Sequence, residues 1–158
     1  MDHTRLSRGS VCVVAALLAP ACKRSDSDFA ALQSRGAHVM GVDQYTSAHV
    51  FEDLPDGGRV VLERDDPADS AAIVTIRVHM REIAASFRAG DFTKPFQVHA
   101  QTVPGTAVMR DRRAAISYAP IDRLRGGEVR ITSRDSAAVR AIHEFLAFQR
   151  DQHHAAAY

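Results

Sequence analysis

Alternation and helical spacing divide the chain into two similar units. In the first, Ser47, His49 and Phe51 fall on one side of an extended segment, because side chains along a strand alternate faces. Val60 and Leu62 do the same on a returning segment, and Pro55-Asp56-Gly57-Gly58 between them supplies the residues of a tight hairpin. Ile73, Ile76, Met80, Ile83 and Phe87 then recur at helical spacing, with Asp66-Pro67 as the start signal and Gly90 as the stop. The second unit places Ile116 and Tyr118 on one strand and Val129 and Ile131 on the next, joined by a longer connection, Ala119 to Gly127. Its helix begins near Ser133 to Ser136, runs to about Gln152, and lines up Val139, Ile142, Phe145, Leu146 and Gln149. Two successive hairpin–helix units predict an α+β fold, a four-stranded antiparallel sheet with two helices on one face. The helices are not in strict register, since His79 follows Ser70 by nine residues and His143 follows Ser136 by seven. Ordinary α+β alternation therefore explains the pattern as well as duplication does.

The flanks read differently. Arg5 and Arg8 precede the apolar run Val11 to Leu18, and Ala19-Pro20-Ala21 stands before Cys22, which matches an export signal and predicts removal of residues 1–21. The run is shorter than the roughly 20 apolar residues of a membrane-spanning helix. Residues 22–43 read as a polar lead-in with a weak helical patch at Phe29, Ala30 and Leu32, and residues 155–158 as a frayed tail. One α+β domain then occupies residues 44–154. Inside it, the stretch from Gly90 to about Arg113 is irregular, with one short extended piece, Phe96 to Ala100, and connections of that length are often functional.

Composition narrows the function classes. At 158 residues, 46% apolar and 25% charged, the chain suits one compact domain. The formal charge is +1, and the arginines are interleaved with Asp and Glu, so the clustered basic footprint of a nucleic-acid binder is missing. Lys23 and Lys94 are the only lysines, which disfavours a lysine nucleophile. Once residues 1–21 are removed Cys22 stands alone, so no internal disulfide can form. A lipid on Cys22 would be the route to a membrane. The lipoprotein box is off by one position, because Leu18 stands four residues before the cysteine and Ala19 three.

The candidate chemistry lies in the histidines. His49 comes from a strand, His79 and His143 from helices and His99 from the long connection, and neutral imidazoles from separate elements can converge on one metal. His153, ten residues after His143, falls on nearly the same helical face. No spacing is diagnostic: Ala147 stands where a zinc-protease helix needs its second histidine, and there is no Cys-x-x-Cys. Methionine tilts the choice toward monovalent copper, with Met109 in the irregular stretch as the candidate soft ligand. Met80 belongs to the apolar stripe, and Met40 to the lead-in. No Gly-x-Ser-x-Gly elbow, phosphate loop or dinucleotide fingerprint is present.

Met40-Gly41-Val42-Asp43-Gln44, His49-Val50-Phe51, Asp56-Gly57-Gly58, Ile76-Arg77-Val78-His79, Gly90-Asp91-Phe92, Val98-His99, Pro104-Gly105 and Ala141-Ile142-His143-Glu144-Phe145 with Phe148-Gln149 together resemble a family of small exported bacterial proteins without an assigned activity. The resemblance covers about Arg35 to His153. Some members carry the label aspartate carbamoyltransferase, which the motifs do not support, because the Ser-Thr-Arg-Thr phosphate loop is missing and the chain is too short for two domains. The resemblance implies one domain and an exported address, periplasmic or lipid-anchored, and carries no mechanism.

The residues therefore predict an exported, non-catalytic binding protein that holds a transition metal, copper ahead of zinc, through His49, His79, His99 and His143 with Met109. Three alternatives stand beside it. One is a protein-interaction module whose histidines merely pack, one a small hydrolase-like enzyme with His99 as general base, and one a site for non-covalent haem or another small ligand.

Overall fold

A computed structural model describes residues 22–155, with side chains from residue 26 onward. The segment 1–21, read from the sequence as an export signal, lies outside the described residues, as does nearly all of the expected tail. Strands β1 (Ser47–Leu54), β2 (Gly57–Arg64), β3 (Ile116–Arg123) and β4 (Gly126–Ser133) form an antiparallel sheet in the order β1-β2-β4-β3. The hairpins meet through β2 and β4, with Val60 opposite Val129. Helices α2 (Ser70–Ala89) and α5 (Ser136–Gln152) bury their apolar stripes on the sheet face that presents Phe51, Leu62, Tyr118, Val129 and Ile131. The expected α+β architecture is the observed one.

Each helix packs on the other unit's hairpin, α2 mainly on β3 and β4 and α5 on β1 and β2. The exchange gives the fold a two-fold pseudosymmetry. The Arg77 guanidinium on α2 donates to the carbonyls of Arg123, Leu124 and Gly126 at the second turn. At the equivalent place on α5, His143 Nε2 lies 3.0 Å from the Leu54 carbonyl and 2.8 Å from that of Gly57 at the first turn. The matching strand residues Asp122 and Asp53 each take an arginine from a helix, Arg81 and Arg150, from positions about one turn apart in the helix register. In this register His143 matches Arg77 and His79 matches Phe145, so the two helical histidines are not counterparts.

The glycine pairs do not form the turns. Pro55-Asp56 and Leu124-Arg125 do, and each pair opens the returning strand. A Cβ on Gly58 would stand 2.2 Å from Leu146 Cδ1 on α5, and one on Gly127 would stand 3.0 Å from Met80 Cγ on α2. Both glycines therefore let a helix approach the sheet. Pro120 sits within β3, and an edge strand is where a sheet accepts proline.

Helix starts and long connections also depart from expectation. Asp69 caps α2 by accepting from the Ala72 amide, while Asp66 accepts from Ala68 in the preceding turn. Asp135 caps α5. The lead-in is helix α1 (Cys22–Met40), which buries Leu32, lies against α3 and sends Arg35 Nε to the Val98 carbonyl at 2.7 Å. The stretch expected to be extended is α3 (Thr93–His99), whose Pro95 stands in the first turn, where a missing N–H costs nothing. A further short helix, α4 (Thr106–Asp111), packs on α5. On the opposite sheet face Arg59, Arg123 and Arg125 pair with Glu52, Glu63 and Glu128, which accounts for the interleaved charges.

Candidate functional site

At the β1 edge the sheet, α2, α5 and the α1–α3 layer line a partly open cavity of about 80 Å³. His49 enters from β1, His79 from α2, His99 from the last turn of α3, and His153 from the residue that ends α5. Met40 at the end of α1, Met80 and Phe51 line it too. Of the sequence candidates, His49, His79 and His99 thus share one site. His143 does not, because its Nε2 is held on the Leu54 and Gly57 carbonyls. Met109 does not either, because it is fully buried under α4 in the core.

The imidazoles touch. The His49 and His153 rings stack at 5.0 Å and 22°, and His99 meets His153 edge-on at 5.3 Å. Phe51 lies 5.4 Å from His153 and 6.0 Å from His49. His99 Nε2 stands 2.7 Å from Gln149 Oε1. An amide oxygen can only accept, so this contact places the proton on Nε2 and leaves Nδ1 as a bare lone pair. His49 Nε2, His99 Nδ1 and His153 Nδ1 are buried with no hydrogen-bond partner among the described residues.

Burial keeps the rings neutral. Desolvation, reinforced by His79, lowers the His49 pKa to about 4. Desolvation, with Lys94 adding to it and Glu82 opposing it, lowers that of His79 to about 4. Desolvation outweighs the Gln149 hydrogen bond at His99, whose pKa is also lowered. His153 falls to about 3 through desolvation and then through His49, His99 and His154. Lys94, the one charged residue on the lining, gives its ammonium to Glu82 at 2.6 Å.

Pseudosymmetry marks the imidazoles as more than filler. In the other half the strand position matching His49 is Tyr118, and the helix position matching His153 is Phe87, two rings 5.8 Å apart. The same framework thus packs with aromatic rings at those places, where the Tyr118 hydroxyl is likewise buried with no hydrogen-bond partner among the described residues. His153, Gln149, Met40 and Met80 line the cavity as well and stand outside the candidate set read from the sequence. The signal for His153 was in the chain, since Ile142, Leu146, Gln149 and His153 continue one helical stripe.

The cavity supplies no hydrolytic constellation. His99 meets an amide, and among the described residues the lining holds no serine, threonine, cysteine or carboxylate. Among the described residues no group of three or more His, Cys, Asp or Glu side chains is arranged, as it stands, to hold a metal ion. No described helix is long and apolar enough to cross a membrane. No family model matches the chain, and no curated protein or solved structure is significantly similar to it.

Proposed function

We propose that the protein binds a transition-metal ion in this cavity, through the imidazoles of His49, His99 and His153 with His79 beside them. The observation that carries the reading is three buried imidazole nitrogens without partners on one small cavity. Each such atom costs on the order of 1–3 kcal/mol, and proteins rarely leave them so unless something else repays it. A ligand that accepts lone pairs repays all three at once.

Ring spacing supports the same reading. Two imidazoles on one tetrahedral ion, each with a metal–nitrogen distance of ~2 Å, put their centroids about 5 Å apart. The observed centroid separations, 5.0 Å for His49 and His153 and 5.3 Å for His99 and His153, lie close to that value. Gln149 serves as the outer partner that fixes the His99 tautomer. Neutral rings are the ligand form, which needs no proton displaced near pH 7. A porphyrin is far larger than 80 Å³ and would have to displace the α1–α3 layer. With the N-terminal segment read as an export signal, the ion would be handled outside the cytoplasm.

The test is metal uptake by the purified chain and by His49→Phe and His153→Phe. One equivalent should bind to the parent and none to the double variant at the same concentration. Equal uptake by both would overturn the assignment.

A further inference from the structure

Among the cavities and charged clusters of the fold, the imidazole cavity is the one whose lining specifies the charge of its ligand. We infer that the ion is monovalent copper, with the thioethers of Met40 and Met80 completing a nitrogen–sulfur ligand set. This rests on the imidazole site proposed above and names what that site selects.

The first argument is electrostatic. Among the described residues the lining holds no Asp, Glu or Cys, and its Lys94 is already paired with Glu82. Neutral ligands leave the whole charge of the ion inside an apolar cavity. The cost of that charge grows as its square, so a divalent ion pays about four times what a monovalent ion pays. Zinc and divalent copper sites commonly recruit carboxylate or thiolate, and neither lines this wall.

The second argument is the donor chemistry. Met80 is buried on α2 and Met40 partly buried at the end of α1, and both face the cavity from the helix side while His49 faces it from the sheet. Thioether sulfur is a soft donor that favours monovalent copper and binds zinc poorly. Two imidazoles with one thioether also suffice for an ion content with few ligands. The lack of a ready three-residue nitrogen–oxygen–thiolate group among the described residues is therefore compatible with this ion.

The experiment is anaerobic competition of the full chain against a chromophoric chelator, with monovalent copper, zinc and divalent copper as separate probes. The parent is compared with Met40→Leu, Met80→Leu and the double variant; leucine conserves volume, and thermal melts confirm that each variant folds. The expected result is one monovalent copper bound about 100-fold or more tighter than zinc, and a loss of about tenfold or more in the double variant, the equivalent of about 1.4 kcal/mol. Zinc affinity should stay within about threefold across the series. Zinc bound as tightly as copper, or copper affinity unmoved by the double substitution, overturns this inference and leaves the imidazole site standing. Failure of all three ions to bind the parent overturns the imidazole site itself.

Discussion

His153→Phe is the substitution with the sharpest consequence. It exchanges the imidazole for the residue type found at the equivalent helix position, Phe87, and removes one buried nitrogen without a protein partner. Near pH 7 the ring is neutral, so the gain is relief of that one atom plus apolar contact with Phe51, 5.4 Å away. Removing such an atom is worth about 1–3 kcal/mol, or about 2–6 °C in Tm per kcal/mol for a domain of this size. Acid enlarges the difference. The folded-state pKa is about 3 against 6.5 unfolded, so the unfolded chain binds the proton first. The stability that depends on neutral His153 is complete above 6.5 and is lost as pH falls toward 3. At pH 4 that loss is on the order of 3 kcal/mol. Urea melts of metal-free parent and variant at pH 7 and pH 4 read both numbers. The variant should be more stable at both, by the larger margin at pH 4. A variant less stable at pH 7, with the acid slope of the parent intact, would refute the claim that this ring sits unpartnered in the apo protein.

Three further substitutions separate structure from site. His143→Ala should lower stability by about 1–2 kcal/mol, because its Nε2 bridges two turn carbonyls, while metal affinity measured by competition stays within about twofold. Gly58→Ala should cost about 3 kcal/mol or more in urea melts, because its Cβ would stand 2.6 Å from the Glu52 backbone carbonyl as well as against Leu146. Gly127→Ala should cost less, since its nearest atoms, Met80 Cγ at 3.0 Å and Cβ at 3.3 Å, stand farther off and no backbone atom lies closer than 3.6 Å; equal costs would contradict the packing described. Gln149→Leu should leave the fold intact and weaken metal binding about 10- to 100-fold by freeing the His99 tautomer, and unchanged affinity would remove Gln149 from the site.

What was legible in the chain was whatever repeats with a fixed period. The alternation through His49 and Phe51 and the helical stripe from Ile73 to Phe87 each oriented side chains correctly, because a buried face imposes that period. Helix α1 was hidden by its polar surface, since Leu32 and the Val39–Met40 end provide its apolar contact with the domain. Pro95 disguised α3, because proline is permitted in a first helical turn as well as in extended chain. The glycine pairs open the returning strands, and the sequence pattern does not separate them from the turns because turn chemistry and close helix approach both call for glycine. Of the histidines, His49 and His79 are placed by their elements and His99 enters from a helix that reads as extended chain, while His143 and His153 share a helix, and only the crossing of α5 over β1 and β2 decides which one meets a turn and which a cavity. Met109 was misjudged for a like reason, since α4 turns it into the core.

The most direct measurement is nitrogen-15 NMR of the histidine rings during titration with monovalent copper or its diamagnetic analogue, monovalent silver. Nδ1 of His99, Nδ1 of His153 and Nε2 of His49 should shift together and saturate at one equivalent, while the His143 signals stay in place. Rings of His49, His99 and His153 that keep their metal-free shifts through several equivalents would contradict the account.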